Sequence, residues 1–436
     1  MPGRATALAR LPLAAALVVS VAGAARADNG QPPERARSEQ GSATPLQRLA
    51  WRVTFGEGYD TNLLADRGAD LVARDPRLHL DGWHSSGRTA LEYEWRGPHV
   101  SVGSTGGGLF RYYPDLRELT SMQSQGQATV TAAAAPFTGF ARAGVVSSPF
   151  YSVTAFSSFI DEGEGWSPPD PQSAIVRRDV TTYSSSAGVT AALGTRVTAS
   201  ATHSYRRSQV DGEQRRESWQ AGARIRRQLT RSFGIRAGYG VEEGASSLAG
   251  GSPIRIEALD IGVDCRRALS RSRRTTFGLA AGSMRVRAAG QRYRLTGEVS
   301  LAHRIRRTWS ATLRYHRAAA LGDSIELPLF ADAVATVVDG HVARRATLTL
   351  NAAYSAGSIG LLATRPSSPF KTGSGSAALR IEPSTWYGFF IEYTYYHFER
   401  SAAAAGIAWL PRRFDRHGLR AGLLIDLPLI GARRRS

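Results

Sequence analysis

The dominant pattern in this chain is strict alternation of apolar and polar residues, the period of a β-strand whose successive side chains point to opposite faces. Over 292–305, Tyr293, Leu295, Val299, Leu301 and Ile305 share one face, while Arg292, Arg294, Thr296, Glu298, Ser300 and Arg304 share the other. The division repeats with Trp309, Ala311, Leu313 and Tyr315 against Ser310, Thr312, Arg314 and His316. It repeats again with Ala346, Leu348, Leu350, Ala352 and Tyr354 against Arg345, Thr347, Thr349 and Asn351. Leu259, Ile261, Val263 and Cys265 oppose Asp260, Gly262 and Asp264, and Leu419, Ala421, Leu423, Ile425 and Leu427 oppose Arg420, Gly422 and Asp426.

A soluble sandwich also alternates, but its strands are typically about 5 or 6 residues long. Many segments here run to roughly twice that, the length of about 9 to 11 that a tilted strand needs to cross a membrane. Within lipid an open sheet edge would leave backbone groups unpaired at several kcal/mol each, so such a sheet must close on itself. The pattern therefore predicts an all-β chain forming a transmembrane antiparallel up-and-down β-barrel, greasy outside and ionic towards a wet lumen.

Barrels of this kind alternate short periplasmic turns with longer extracellular loops. Tight joints are expected near Gly97-Pro98, Ala135-Pro136, Leu193-Gly194, Thr230-Arg231, Ser270-Arg271, Arg306-Arg307, Asp339-Gly340 and Pro383-Ser384, with wider joints near 60–86, 149–177, 242–252, 355–370 and 398–412. With the N-terminus in the periplasm, the count is about 18 strands (16 to 18), an even number that returns the C-terminus to the same side. Tyr112-Tyr113, Phe150-Tyr151, Trp386-Tyr387 and Tyr395-Tyr396 fall near strand ends, as aromatic girdles require.

The first residues change the picture from barrel to exported barrel. Arg4 and Arg10 precede an apolar run from Leu11 to Ala24, and Ala25-Arg26-Ala27 offers small residues for cleavage before Asp28, which together read as a secretory signal peptide. The expected organisation is a signal peptide over 1–27, a flexible periplasmic segment over 28–48 and an outer-membrane barrel over 49–436. Removing Arg4, Arg10 and Arg26 lowers the formal charge from +19 to 19 − 3 = +16. Nearly all of it is arginine, Lys371 being the sole lysine. Basicity alone would fit nucleic acid, anionic lipid or an acidic polymer, and export removes nucleic acid from that set.

Candidate chemistry is sparse. Cys265 is a single cysteine, and no Cys/His cluster has metal-ligand spacing, so neither a disulfide nor a metal or other cofactor is expected. The nine histidines, among them His203, His303, His316 and His397, are scattered among strands and fix no triad, so no catalytic residues are expected. The run Gly103-Ser104-Thr105-Gly106-Gly107-Gly108 lacks the Lys-Ser/Thr and the strand-to-helix context of a phosphate loop, and reads as smooth wall. What remains is the polar face itself. Arg292, Arg294, Glu298, Arg304, Arg314, Arg345, Arg420, Asp260 and Asp264 are the candidate pore-lining residues, able either to brace the wall as ion pairs or to attract anions through their summed field.

The octapeptide Phe55-Gly56-Glu57-Gly58-Tyr59-Asp60-Thr61-Asn62, followed by Leu91-Glu92-Tyr93-Glu94-Trp95-Arg96, Arg111-Tyr112-Tyr113-Pro114-Asp115 and Ser148-Pro149-Phe150-Tyr151, resembles the first, second, third and fifth strand regions of the β-barrel porin type 2 family. Gly58, Tyr59, Asp60, Thr61 and Asn62 carry most of that likeness, which is confined mainly to the first 150 residues. The resemblance implies an outer-membrane conduit for polysaccharide, acting with a periplasmic export protein, and it implies no catalytic residues. A general or anion-preferring diffusion porin for small solutes is the alternative, and a loop over 152–177 folding inward would favour it.

Overall fold

The computed structural model describes residues 46–61, 81–115, 117, 120–152, 174–210, 214–245, 253–268, 274–287, 291–305, 307–321, 328–359, 368–401 and 412–431. The expected signal peptide, Asn62 and most of the 152–177 loop lie outside them. Among the described residues there are eighteen strands: β1 Leu46–Asp60, β2 Gly82–Arg96, β3 Val100–Tyr112, β4 Ser121–Ala134, β5 Phe137–Ser152, β6 Ala174–Ala192, β7 Val197–Val210, β8 Gln214–Gln228, β9 Phe233–Ala245, β10 Pro253–Ala268, β11 Thr275–Arg287, β12 Gln291–Ile305, β13 Trp309–Leu321, β14 Pro328–Ala343, β15 Ala346–Ile359, β16 Ser368–Ile381, β17 Tyr387–Arg400 and β18 Arg413–Ile430. The wall therefore begins at Leu46, inside the stretch expected to be a lead-in.

Each strand pairs antiparallel with its neighbours in sequence, and β1 also pairs with β18, from Leu49↔Ile430 to Asp60↔Gly418. The sheet is closed and has no free edge, as lipid requires. At a strand spacing of about 4.8 Å and a tilt of roughly 40°, eighteen strands enclose a cylinder roughly 35 Å across. The joints at 97–99, 135–136, 193–196, 229–232 and 382–386 are short and share one end with both termini, which is the periplasmic end.

Faces follow from register. Leu295, Tyr293, Ile261, Leu259 and Tyr239 are exposed on the outer face, and Leu295, the most exposed of them, has 75% of its surface open. The outer apolar strip of β12 runs from Leu295 to Ile305, about 25 Å along the normal at a ~40° tilt, which matches the hydrophobic height of an outer membrane.

Two expectations are corrected. The turn placed at Asp339-Gly340 lies instead at Arg344-Arg345, because β14 continues to Ala343. Gly340 is there for space: a Cβ at that position would run into the indole of Trp309, its partner across β13. The second correction concerns the lumen, which is not ionic throughout. In the extracellular half Leu329, Ile359, Phe370 and Phe398 are buried at strand positions whose parity faces inward.

That apolar interior has a structural cause. β12 pairs with β13 only from Gly297↔Arg317 to Ile305↔Trp309, and above that level the two strands separate. Ala319 and Phe330, whose parity matches lipid-facing Leu313 and Val334, instead form a buried cluster with Ile256, Met284 and Val286 from the inner face of β10 and β11. The upper β13–β14 ribbon thus lies inside the wall made by β10–β12 and narrows the extracellular half. The extracellular end of β14 is buried on both sides, by Phe330 on one and by Leu329, Ala331, Ala333 and Ala335 on the other, while Asp332 on the Phe330 side pairs with Arg317.

Candidate functional site

The lumen wall is built from every second residue of each strand. β4 contributes Ser121, Gln123, Gln125, Gln127, Thr129 and Thr131 inward, on the parity of buried Leu109 and Arg111 across β3, while Met122 is exposed outward. β6 and β7 continue this hydroxyl surface, where Thr182 Oγ1 and Ser208 Oγ meet at 2.9 Å and Ser200, Thr202 and Ser204 follow along β7. From β3 to β8 the wall is mostly neutral and hydrogen-bonding.

Arginines punctuate the periplasmic half of the wall between β1 and β13. Arg52, Arg142, Arg224, Arg236, Arg304 and Arg314 come from β1, β5, β8, β9, β12 and β13. Arg224 leans over Gly238 and Arg236 over Gly262, the glycines leaving room for the guanidinium stems against the wall. The reading from sequence missed Arg142, Arg224 and Arg236 together with the hydroxyl sector. The signal was available as Ser, Thr or Gln at every second position of 121–131 and 198–204.

The structure places the expected lining residues as follows. Arg294, Glu298, Arg304 and Arg314 occupy inward parity, opposite Met284, His316, Ser310 and Ala335 respectively. Arg292, Asp260 and Asp264 hold positions of the same parity, opposite Val286, Gly238 and Gly234. Arg420 pairs with Glu392, and its guanidinium carbon sits 5.5 Å from the Phe390 ring centroid. Arg345 is the exception: it belongs to the β14–β15 turn, where its Nη1 donates to the carbonyl of Pro383 in the neighbouring turn, so it is not on the wall.

The most constrained part of the wall is the seam where β18, β1, β2 and β3 meet. At its extracellular end Asp60, His84, Arg111, Tyr113 and Arg416 are buried together, Asp60 with 1% and Arg416 with 6% of its surface open. Arg416 Nη2 donates to Asp60 Oδ2 at 2.9 Å, and His84 Nδ1 stands 3.6 Å from the same oxygen. The His84 ring lies against Tyr113, with centroids 5.2 Å apart. Burial pushes the Tyr113 phenol up, so it stays protonated beside the arginines.

Gly58 has to be glycine, because a Cβ there would fall 2.5 Å from His84 Cε1. Thr61 N donates to the His417 carbonyl and His417 N donates to Thr61 Oγ1, both at 2.9 Å, extending the join by one more pair. Tyr59 points the other way, with its ring 5.4 Å from Trp83 on the outer face. The Gly58-to-Thr61 motif is therefore a device of barrel closure, with Asp60 as its charged element. Lower on the same seam Arg52 bridges Glu92 and Asp426, at 3.1 Å to each.

This chain is an outer-membrane β-barrel. No protein-family model matches it, and neither does any curated protein, so the likeness to the β-barrel porin type 2 family rests on the quoted motifs alone. Among solved structures it is similar to OpdK of Pseudomonas aeruginosa, at 11% identity over 87% of this chain and 99% of that one, TM-score 0.45. OccK2 (OpdF) of Pseudomonas aeruginosa, solved in complex with glucuronate, is 10% identical over 88% and 98% of the two chains, TM-score 0.45. A loop-deletion variant of OmpT from Vibrio cholerae is 11% identical over 88% and 100%, TM-score 0.35. Likeness at this level says nothing of what the barrel passes.

Proposed function

We propose that this outer-membrane pore conducts anionic, hydroxyl-bearing solutes, and that its main cargo is an acidic polysaccharide leaving the periplasm. The observation that carries the reading is the composition of the inner wall. Arginines from β5, β8, β9, β12 and β13 line the periplasmic half, and a broad Ser/Thr/Gln sector runs beside them. A basic arc raises the local concentration of anions at the periplasmic mouth. A hydroxyl and amide surface offers many weak hydrogen bonds and no tight one, and a strand in transit keeps moving only on such terms. In this reading a periplasmic export protein delivers the polymer to the ring of short turns.

The second reading is a diffusion porin for small anions, favoured by the inward-lying β13–β14 ribbon that narrows the extracellular half. Two measurements separate them. Deletion of the gene should remove surface polysaccharide while leaving uptake of small anions unchanged; the reverse outcome selects the porin. In planar bilayers both readings require anion preference, and a cation-selective channel would refute both.

A further inference from the structure

The outer face carries a second concentration of arginine, well away from the lumen. At the extracellular ends of β9 to β12, Arg255, Glu257, Arg285 and Arg287 share the lipid-side parity, with Glu257 opposite Arg285 and Arg255 directly opposite Arg287. Glu257 is buried in the centre. Arg255 Nε reaches its Oε1 at 3.1 Å, Arg287 Nη1 stands 3.6 Å from that oxygen, and Arg285 bonds its Oε2. Glu243 is the second acid among the described residues here, 3.7 Å from Arg255. Three cations thus meet two carboxylates, and the side chains of Arg255 and Arg287 are 43% and 46% exposed.

Like charges directly opposite across a strand pair are unfavourable; Glu257 stands between Arg255 and Arg287, and the cluster still carries one more cation than carboxylates. Position completes the case. Tyr239 and Tyr293 flank the arginines, and Leu259, Ile261 and Leu295 follow immediately below on the same face, all strongly exposed. Cations above tyrosines above bare aliphatics match an amphiphile with an anionic head, its phosphate at the guanidinium level and its chains along the leucines.

We infer that Arg255, Arg285 and Arg287 form a binding site for the phosphorylated headgroup of an outer-leaflet glycolipid. Glu257 holds the three guanidiniums in place, and the ligand phosphate takes their exposed sides.

The test uses the full-length barrel, refolded in a neutral detergent, with binding measured for three probes: lipopolysaccharide, the same lipopolysaccharide after enzymatic removal of its phosphates, and inorganic phosphate. The intact lipid should bind at least tenfold more tightly than the dephosphorylated form, and Arg255→Gln/Arg287→Gln should lose at least tenfold for the intact lipid alone. Heat-modifiable migration on gels checks that the variant is still a barrel. If the double variant does not fold, Arg287→Gln alone should lose about threefold or more. Equal binding of the two lipid forms, or of wild type and variant, overturns the site. Inorganic phosphate that binds as tightly as the lipid overturns the lipid assignment.

Discussion

Replacing Asp60 by Asn tests the physics of the seam with almost no change in shape. The carboxylate lies 2.9 Å from the Arg416 guanidinium, and both are buried. At an effective dielectric of about 20 their attraction is about 6 kcal/mol, against which stand several kcal/mol of desolvation for each ion. The pair contributes little net free energy as a whole, but removing one member takes from buried Arg416 the carboxylate to which it donates. The expected cost of Asp60→Asn is therefore about 3–5 kcal/mol. Urea titration of the barrel folded in lipid vesicles, followed by tryptophan fluorescence and by heat-modifiable gel migration, measures it. Asp60→Asn/Arg416→Met should recover much of the loss, since it deletes the stranded charge along with its partner. A single variant within ~0.5 kcal/mol of wild type, or a double variant no better than the single, would refute the reasoning.

Other consequences are testable in the same preparation. Arg224→Gln/Arg236→Gln/Arg314→Gln should lower anion preference in planar bilayers while leaving the urea midpoint close to wild type; unchanged reversal potentials would remove these arginines as sources of the field. Leu279→Arg places a charge on the outer face opposite Val299, near the middle of the apolar strip, and should cost about 2–4 kcal/mol in the vesicle titration. Phe330→Ala removes the largest side chain joining the β13–β14 ribbon to β10 and β11; it should cost about 3–5 kcal/mol and raise single-channel conductance. A variant with wild-type conductance would mean that the ribbon does not set the width.

Much of the architecture was legible because lipid and a closed sheet leave few choices. Alternation over 292–305 gave β12 to within one residue, and joints such as Gly97-Pro98 and Leu193-Gly194 fell where turn chemistry placed them. The misplaced turn shows the limit of that chemistry. Gly340 looks like a turn residue, yet it serves the Trp309 ring, and the actual turn at Arg344-Arg345 has neither Gly nor Pro. The apolar interior was harder to read because alternation assigns residues to faces without saying what covers a face. Leu329, Ile359 and Phe370 needed the parting of β12 from β13 to make sense. Asp60 was noticed for resemblance, but its partners could not be named from a linear pattern. Arg111 comes beside it across β2 and β3, whereas Arg416 becomes its neighbour only when the cylinder closes.

The contact between Asp60 and Arg416 spans 356 positions of sequence. No part of the chain made early in synthesis can complete it, and until β18 arrives Asp60 has only His84 and Arg111 of the early strands beside it. Ring closure is thus coupled to arrival of the whole polypeptide at the membrane: a product interrupted anywhere before β18 would leave Asp60 without Arg416 and the sheet with a raw strand edge. The first and last strands together act as a proofreading clasp, which rewards only a finished copy with a sealed wall.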